Sequence, residues 1–119
     1  MQSASQAAAF YREVANSGLV WTLRDESGFP APINTSGERA QPFWSSRARV
    51  EQIIATVAAY QSFVPVQIEL AAFLVRWVPG LTKDGILVGI NWTGDRATGY
   101  DIAPAQVAER IAGASRVRP

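Results

Sequence analysis

The sequence contains no histidine and no cysteine. Without histidine, the commonest general acid/base, the Ser-His-Asp triad and the commonest metal ligand are missing together. Without cysteine there are no disulfides, thiol nucleophiles or thiolate metal sites. The carboxylates Asp84, Asp95 and Asp101 are scattered around turns, without the regular spacing of a calcium loop. The adjacent pair Asp25 and Glu26 sits in turn chemistry, where neighbouring carboxylates are usually solvated. No metal, cofactor or enzymatic activity is expected. Charge of either sign is also scarce, with a formal net charge of +1 and Lys83 the lone lysine. That balance gives no mandate for a nucleic-acid or membrane partner. Apolar runs fall short of the roughly 20 residues that a membrane helix needs. The stretch "MQSASQAAAFYREV" has no basic segment ahead of an apolar one, so a cytoplasmic protein is expected.

What is present fits one globular domain spanning residues 1–119. Hydrophobic residues make up 48% and charged residues 18%, a balance far from that of a disordered chain. A chain of 119 residues buries roughly two-thirds of its unfolded surface, enough for a core without staples. Ser3 and Gln6 have capping-box spacing ahead of a helical stripe at Ala7, Phe10, Tyr11 and Val14, and Gly18 can end that helix. "LVWTLR" alternates as a strand, with Leu19, Trp21 and Leu23 on one face. The prolines of "FPAPI" allow an edge strand at best, and "RAQPFW" reads as a third strand. A helix follows, with Val50, Ile53, Ile54 and Val57 inward. "PVQIEL" is a strand leading into a helix marked by Leu70, Phe73, Leu74 and Trp77, which Pro79 and Gly80 should stop. "GILVGINW" resembles a central strand, with Ile86, Val88, Ile90 and Trp92 on one face and Leu87, Gly89 and Asn91 on the other. "ATGYDI" returns beside it, and Pro104 opens a last helix with Val107, Ala108 and Ile111 inward. Residues 1–2 and 114–119 are expected to fray. The order predicts an α+β fold: one mostly antiparallel sheet of about five to six strands, flanked by amphipathic helices.

Two stretches concentrate polar and aromatic residues. In "PFWSSRAR", Ser45 or Ser46 is a natural N-cap, and Arg47 and Arg49 are solvated or paired with Glu51. The competing reading is an anion site on the free N–H groups of the helix start. Arg47 in a first turn is mildly disfavoured, which suggests a partner elsewhere. In "NWTGDRATGYD", Asn91, Trp92, Tyr100 and Asp101 could line a cleft, or Trp92 and Tyr100 could simply pair across strands. Gly99 would mark a bulge or close approach, and a buried Asn91 amide would need partners. Trp21 and Trp77 sit on core stripes, whereas Trp44 and Trp92 end strands, where a partly exposed ring can join a binding surface.

"VWTLRDESGFPAP", "PFWSSRARVEQII", "FLVRWVPGLTKDGILVGINW" and "GYDI" resemble, in the same order, the small bacterial proteins of domain of unknown function family 2750. The plan is more remotely similar to the SseB amino-terminal domain, an α+β module. The resemblance implies a fold and no catalytic residues; SseB-like domains are discussed as protein-interaction modules, some as candidate immunity proteins. The expected function is a non-enzymatic interaction module, immune or regulatory, binding another protein through Trp44, Arg47, Asn91 and Trp92. The alternative is a small anionic-ligand binder at the Ser45-Ser46 helix start.

Overall fold

A computed structural model describes residues 2–117, and the side chains of residues 4–115. Its elements in chain order are α1 (Gln2–Ser17), β1 (Leu19–Arg24), β2 (Ala40–Phe43), α2 (Arg47–Thr56), β3 (Val64–Glu69), α3 (Leu70–Ala72), α4 (Val78–Asp84), β4 (Leu87–Thr93), β5 (Thr98–Ile102) and α5 (Pro104–Val117). A short 3₁₀ turn, Ala58–Tyr60, follows α2, and a π-helical turn, Phe73–Trp77, joins α3 to α4. Helix α1 already includes Ser3, so that residue stands inside the helix rather than at its cap; its side chain lies outside the described residues. Gly18, at φ +75°, closes the helix by donating to Val14 O at 2.8 Å.

The fold is α+β, but the expected single sheet is two small ones. β1 pairs antiparallel with β3, while β4 lies between β2, to which it is parallel, and β5, to which it is antiparallel. A single bridge connects the sheets: Trp21 N–H donates to Trp44 O at 2.8 Å and Trp44 N–H donates to Trp21 O at 2.7 Å. In an antiparallel ladder the next such exchange would pair Leu23 with Pro42. Proline has no N–H to give, so the ladder stops after one rung. The Thr22 hydroxyl meets Pro42 O instead, at 2.8 Å in the interior. The "FPAPI" segment forms no strand and contributes only the isolated bridge Ile33–Arg39.

β1 is buried on both faces and so divides two cores. On one side Phe10, Val14, Val20, Phe43, Phe73, Val88, Ile90, Val107 and Ile111 pack among α1, the α3–α4 run and α5. On the other, Trp21, Leu23, Trp44, Val50, Ile53, Tyr60 and Trp92 pack beneath α2 and the 3₁₀ turn. Two further expectations are corrected. Pro79 and Gly80 do not stop the helix, which continues to Asp84 and ends at Gly85 in the left-handed region. The π turn explains this. Val78 N–H reaches back five residues to Phe73 O, and the widened turn leads directly into a proline that has no N–H to place. The face assignment of β4 also fails at its end. A bulge at Asn91, φ +44°, turns Trp92 away from Val88 and Ile90 and into the second core. Tyr100 consequently registers against Ile90, not Trp92.

Candidate functional site

The helix start at "SSRAR" resolves into separate roles. Ser46, extended at φ −154°, caps α2 by accepting from Arg49 N–H at 3.3 Å. Ser45 is not the cap. It is buried, its N–H donating to Asn91 Oδ1 at 3.0 Å and its hydroxyl to Glu13 Oε1 at 2.6 Å. Asn91 Nδ2 donates to Ser45 Oγ at 3.0 Å and to Gln6 O at 3.1 Å. The buried amide thus has the partners it requires. Arg49 does not pair with Glu51: it grips Glu13 with two parallel bonds, Nε to Oε1 at 3.0 Å and Nη2 to Oε2 at 2.9 Å. The Arg49 hydrogen bonds, with help from Ser45, hold the Glu13 carboxyl below its ordinary range against the opposing effect of burial. The anion beside this helix start is therefore the chain's own, brought by α1.

Arg47 remains on the surface, bonded to Glu51 at 2.9 Å, with its guanidinium 5.8 Å from the Trp21 ring centre. Trp44, expected as an exposed anchor, is fully buried, and its indole donates to Trp92 O at 2.9 Å. The physical reason is the second core: a ring that ends β2 on the α2 side has α2 above it. The six candidate residues thus divide. Trp44, Ser45 and Asn91 are interior, Ser46 and Arg47 belong to the start of α2, and Trp92 alone reaches a cavity.

That cavity is a half-open cleft of about 820 Å³ between the Pro32–Ser36 loop, the 3₁₀ turn and the β4–β5 hairpin. Trp92 and Tyr60 form part of its apolar wall. Gly89 and Gly99 make the indole's position possible. A Cβ on Gly89 would lie 2.4 Å from Trp92 Cε2, and one on Gly99 would lie 3.0 Å from Cδ1. Asp101 faces the same side, its Oδ1 accepting from Trp92 Nε1 and its Oδ2 from Asn34 Nδ2, each at 2.9 Å. Asn34 organises the opposite wall: its Oδ1 accepts from Ser36 N–H at 2.9 Å and Glu38 N–H at 3.0 Å. Glu38, Asp95 and Arg96 stand exposed along the lining. A smaller hollow of about 460 Å³ adjoins it between α2 and Thr93–Asp95, and Trp92 borders both.

Of the four hairpin residues read as a possible cleft lining, Trp92, Tyr100 and Asp101 reach it, and Asn91 turns inward. Asn34 and Tyr60 escape the sequence reading. "NTSGE" announces a turn, but the bond from Asn34 to Asp101 spans 67 residues and leaves no local trace. Tyr60 lies beyond the last helical repeat of α2, in a turn that has no periodicity. Among the described residues, no group of three or more Asp or Glu side chains converges on a metal-sized site. Asp25 is occupied locally, accepting from Ser27 N–H at 2.8 Å.

No curated protein matches the sequence significantly. A family model described as "Protein of unknown function (DUF2750)" matches residues 7–111, from the first buried residue of α1 to the last buried residue of α5 among the described side chains. The chain belongs to the DUF2750 family.

Proposed function

We propose that this protein is a non-enzymatic interaction module of the cytoplasm, which takes a segment of a partner protein into the cleft beside Trp92. The observation that supports this reading is the cleft itself. It is about 820 Å³ and half open, large enough to take several side chains of a partner segment. Its floor is built from a bulged strand and two closely packed glycines, and its rim carries Ile33 at 63% exposure. The remote resemblance read in the sequence to the SseB amino-terminal domain suggests an immune or regulatory setting by analogy alone. An anionic metabolite at Ser45-Ser46 would have to displace Glu13 from both Ser45 and Arg49; the cleft requires no displacement.

Ile33 and Ala59 are exposed on the cleft walls, so Ile33→Asp and Ala59→Arg should leave the thermal midpoint unchanged. A partner protein is expected to co-purify with the tagged chain, both variants should lose it, and Arg47→Ala should retain it. If both cleft variants hold the partner and Arg47→Ala releases it, the interaction lies on the α2 face.

A further inference from the structure

The cleft's electrostatics differ from those of the whole chain. Three carboxylates, Glu38, Asp95 and Asp101, border it against one guanidinium, Arg96, whereas the chain as a whole is slightly basic. Among the described residues the ion pairs are Arg47–Glu51 and Arg49–Glu13, and neither reaches the cleft. Asp101 is the informative group. It is half-buried in a concave surface and held by two neutral donors, an indole N–H and an amide N–H. These bonds aim the carboxylate without cancelling its charge. Each oxygen accepts one bond and keeps a further lone pair for another donor. Beside it, the exposed edges of Trp92 and Tyr60, each otherwise buried, and the exposed Ile33 form lining against which the stem of a long side chain can lie.

We infer that the cleft receives an arginine side chain carried on the partner's segment, its guanidinium on Asp101 and its stem against Trp92 and Tyr60. This inference rests on the cleft being the partner surface. The planar fork of arginine matches two aimed oxygens better than any other cation of a protein chain. Glu38 and Asp95, exposed on the walls, add attraction that salt will screen.

The test uses short blocked peptides with a central arginine, norleucine or glutamate, titrated into isotope-labelled protein and followed by two-dimensional NMR. The arginine peptide should shift the Trp92 indole resonance and the amides of Thr98–Asp101, and the norleucine peptide should bind about tenfold more weakly. Asp101→Asn should abolish that difference. Asp95→Asn changes a side chain that makes no hydrogen bond among the described residues; it should weaken arginine binding by about threefold at low salt and not at high salt. Equal binding of the arginine and norleucine peptides at the cleft would overturn the charge inference and leave the cleft as the docking surface. If the arginine peptide leaves every cleft resonance unmoved, the inference is also overturned. The docking reading then stands or falls on whether Ile33→Asp loses the co-purifying partner.

Discussion

Single residues decide which tryptophans support the fold. Trp44 has no exposed surface, and its indole N–H is spent on a buried carbonyl. Trp77 is only half-buried, wedged edge-on between Phe29 at 5.0 Å and Phe43 at 5.7 Å. Removing Trp44 would open a cavity and strand the Trp92 carbonyl, for a loss of about 3–5 kcal/mol. Trp44→Ala should therefore unfold at lower urea than Trp77→Ala, in two-state melts with equal slopes. The reverse order would place Trp77 at the centre of the structure. This ranking inverts the one read from the sequence, where Trp77 completed a clean stripe and Trp44 merely ended a strand. Periodicity reports a side chain's direction and cannot report what waits there. For Trp44 it was a second core.

At the scale of elements, three separate segments converge on one buried junction: α1 through Gln6 and Glu13, the β2–α2 connection through Ser45, and β4 through Asn91. Its charge makes the junction sensitive to acid. Glu13 has a folded pKa below its ordinary value of 4.5 because Arg49 and Ser45 bond the carboxylate. A depressed pKa contributes stability that is complete above the unfolded value and is lost as pH falls through the folded one. The urea midpoint should therefore begin to drop below about pH 4.5, and that part of the drop should be missing in Glu13→Gln. A Glu13→Gln profile superimposed on the parent's would show that the pairing contributes nothing. The elements themselves were largely legible. β1 lies as its alternation places it, β5 returns beside β4 as the turn ahead of "ATGYDI" implies, and Val50, Ile53 and Val57 face the core as their spacing requires. What stayed hidden depends on distant partners. Pro42 breaks a ladder only against a strand whose register was unknown, and the Asn91 bulge hides in an apolar alternation that continues unbroken to Trp92. Even the helix through Pro79 needed a π turn that leaves no mark in the stripe.

On the scale of the whole molecule, the layout sets out where rigidity and access lie. Helices α1, α4 and α5 cover one side of the strands and α2 covers part of the other, ending at Thr56. Past that end the strands' second face is left to the 3₁₀ turn, the Pro32–Ser36 loop and the hairpin, and the cleft opens among them. Of the hairpin residues read from the sequence as a possible lining, Trp92, Tyr100 and Asp101 lie there; the bulge that moved Trp92 off its predicted face also brought it to this opening. Amide hydrogen exchange, compared between the free protein and the protein bound to any chain that co-purifies with it, tests the central claim most directly. The account predicts that binding slows exchange in the Asn34–Ser36 loop, at Ala58–Tyr60 and along Thr98–Asp101, with α2 unchanged. Protection confined to Arg47–Glu51 on the exposed start of α2, with the cleft amides exchanging at their free rates, would contradict it.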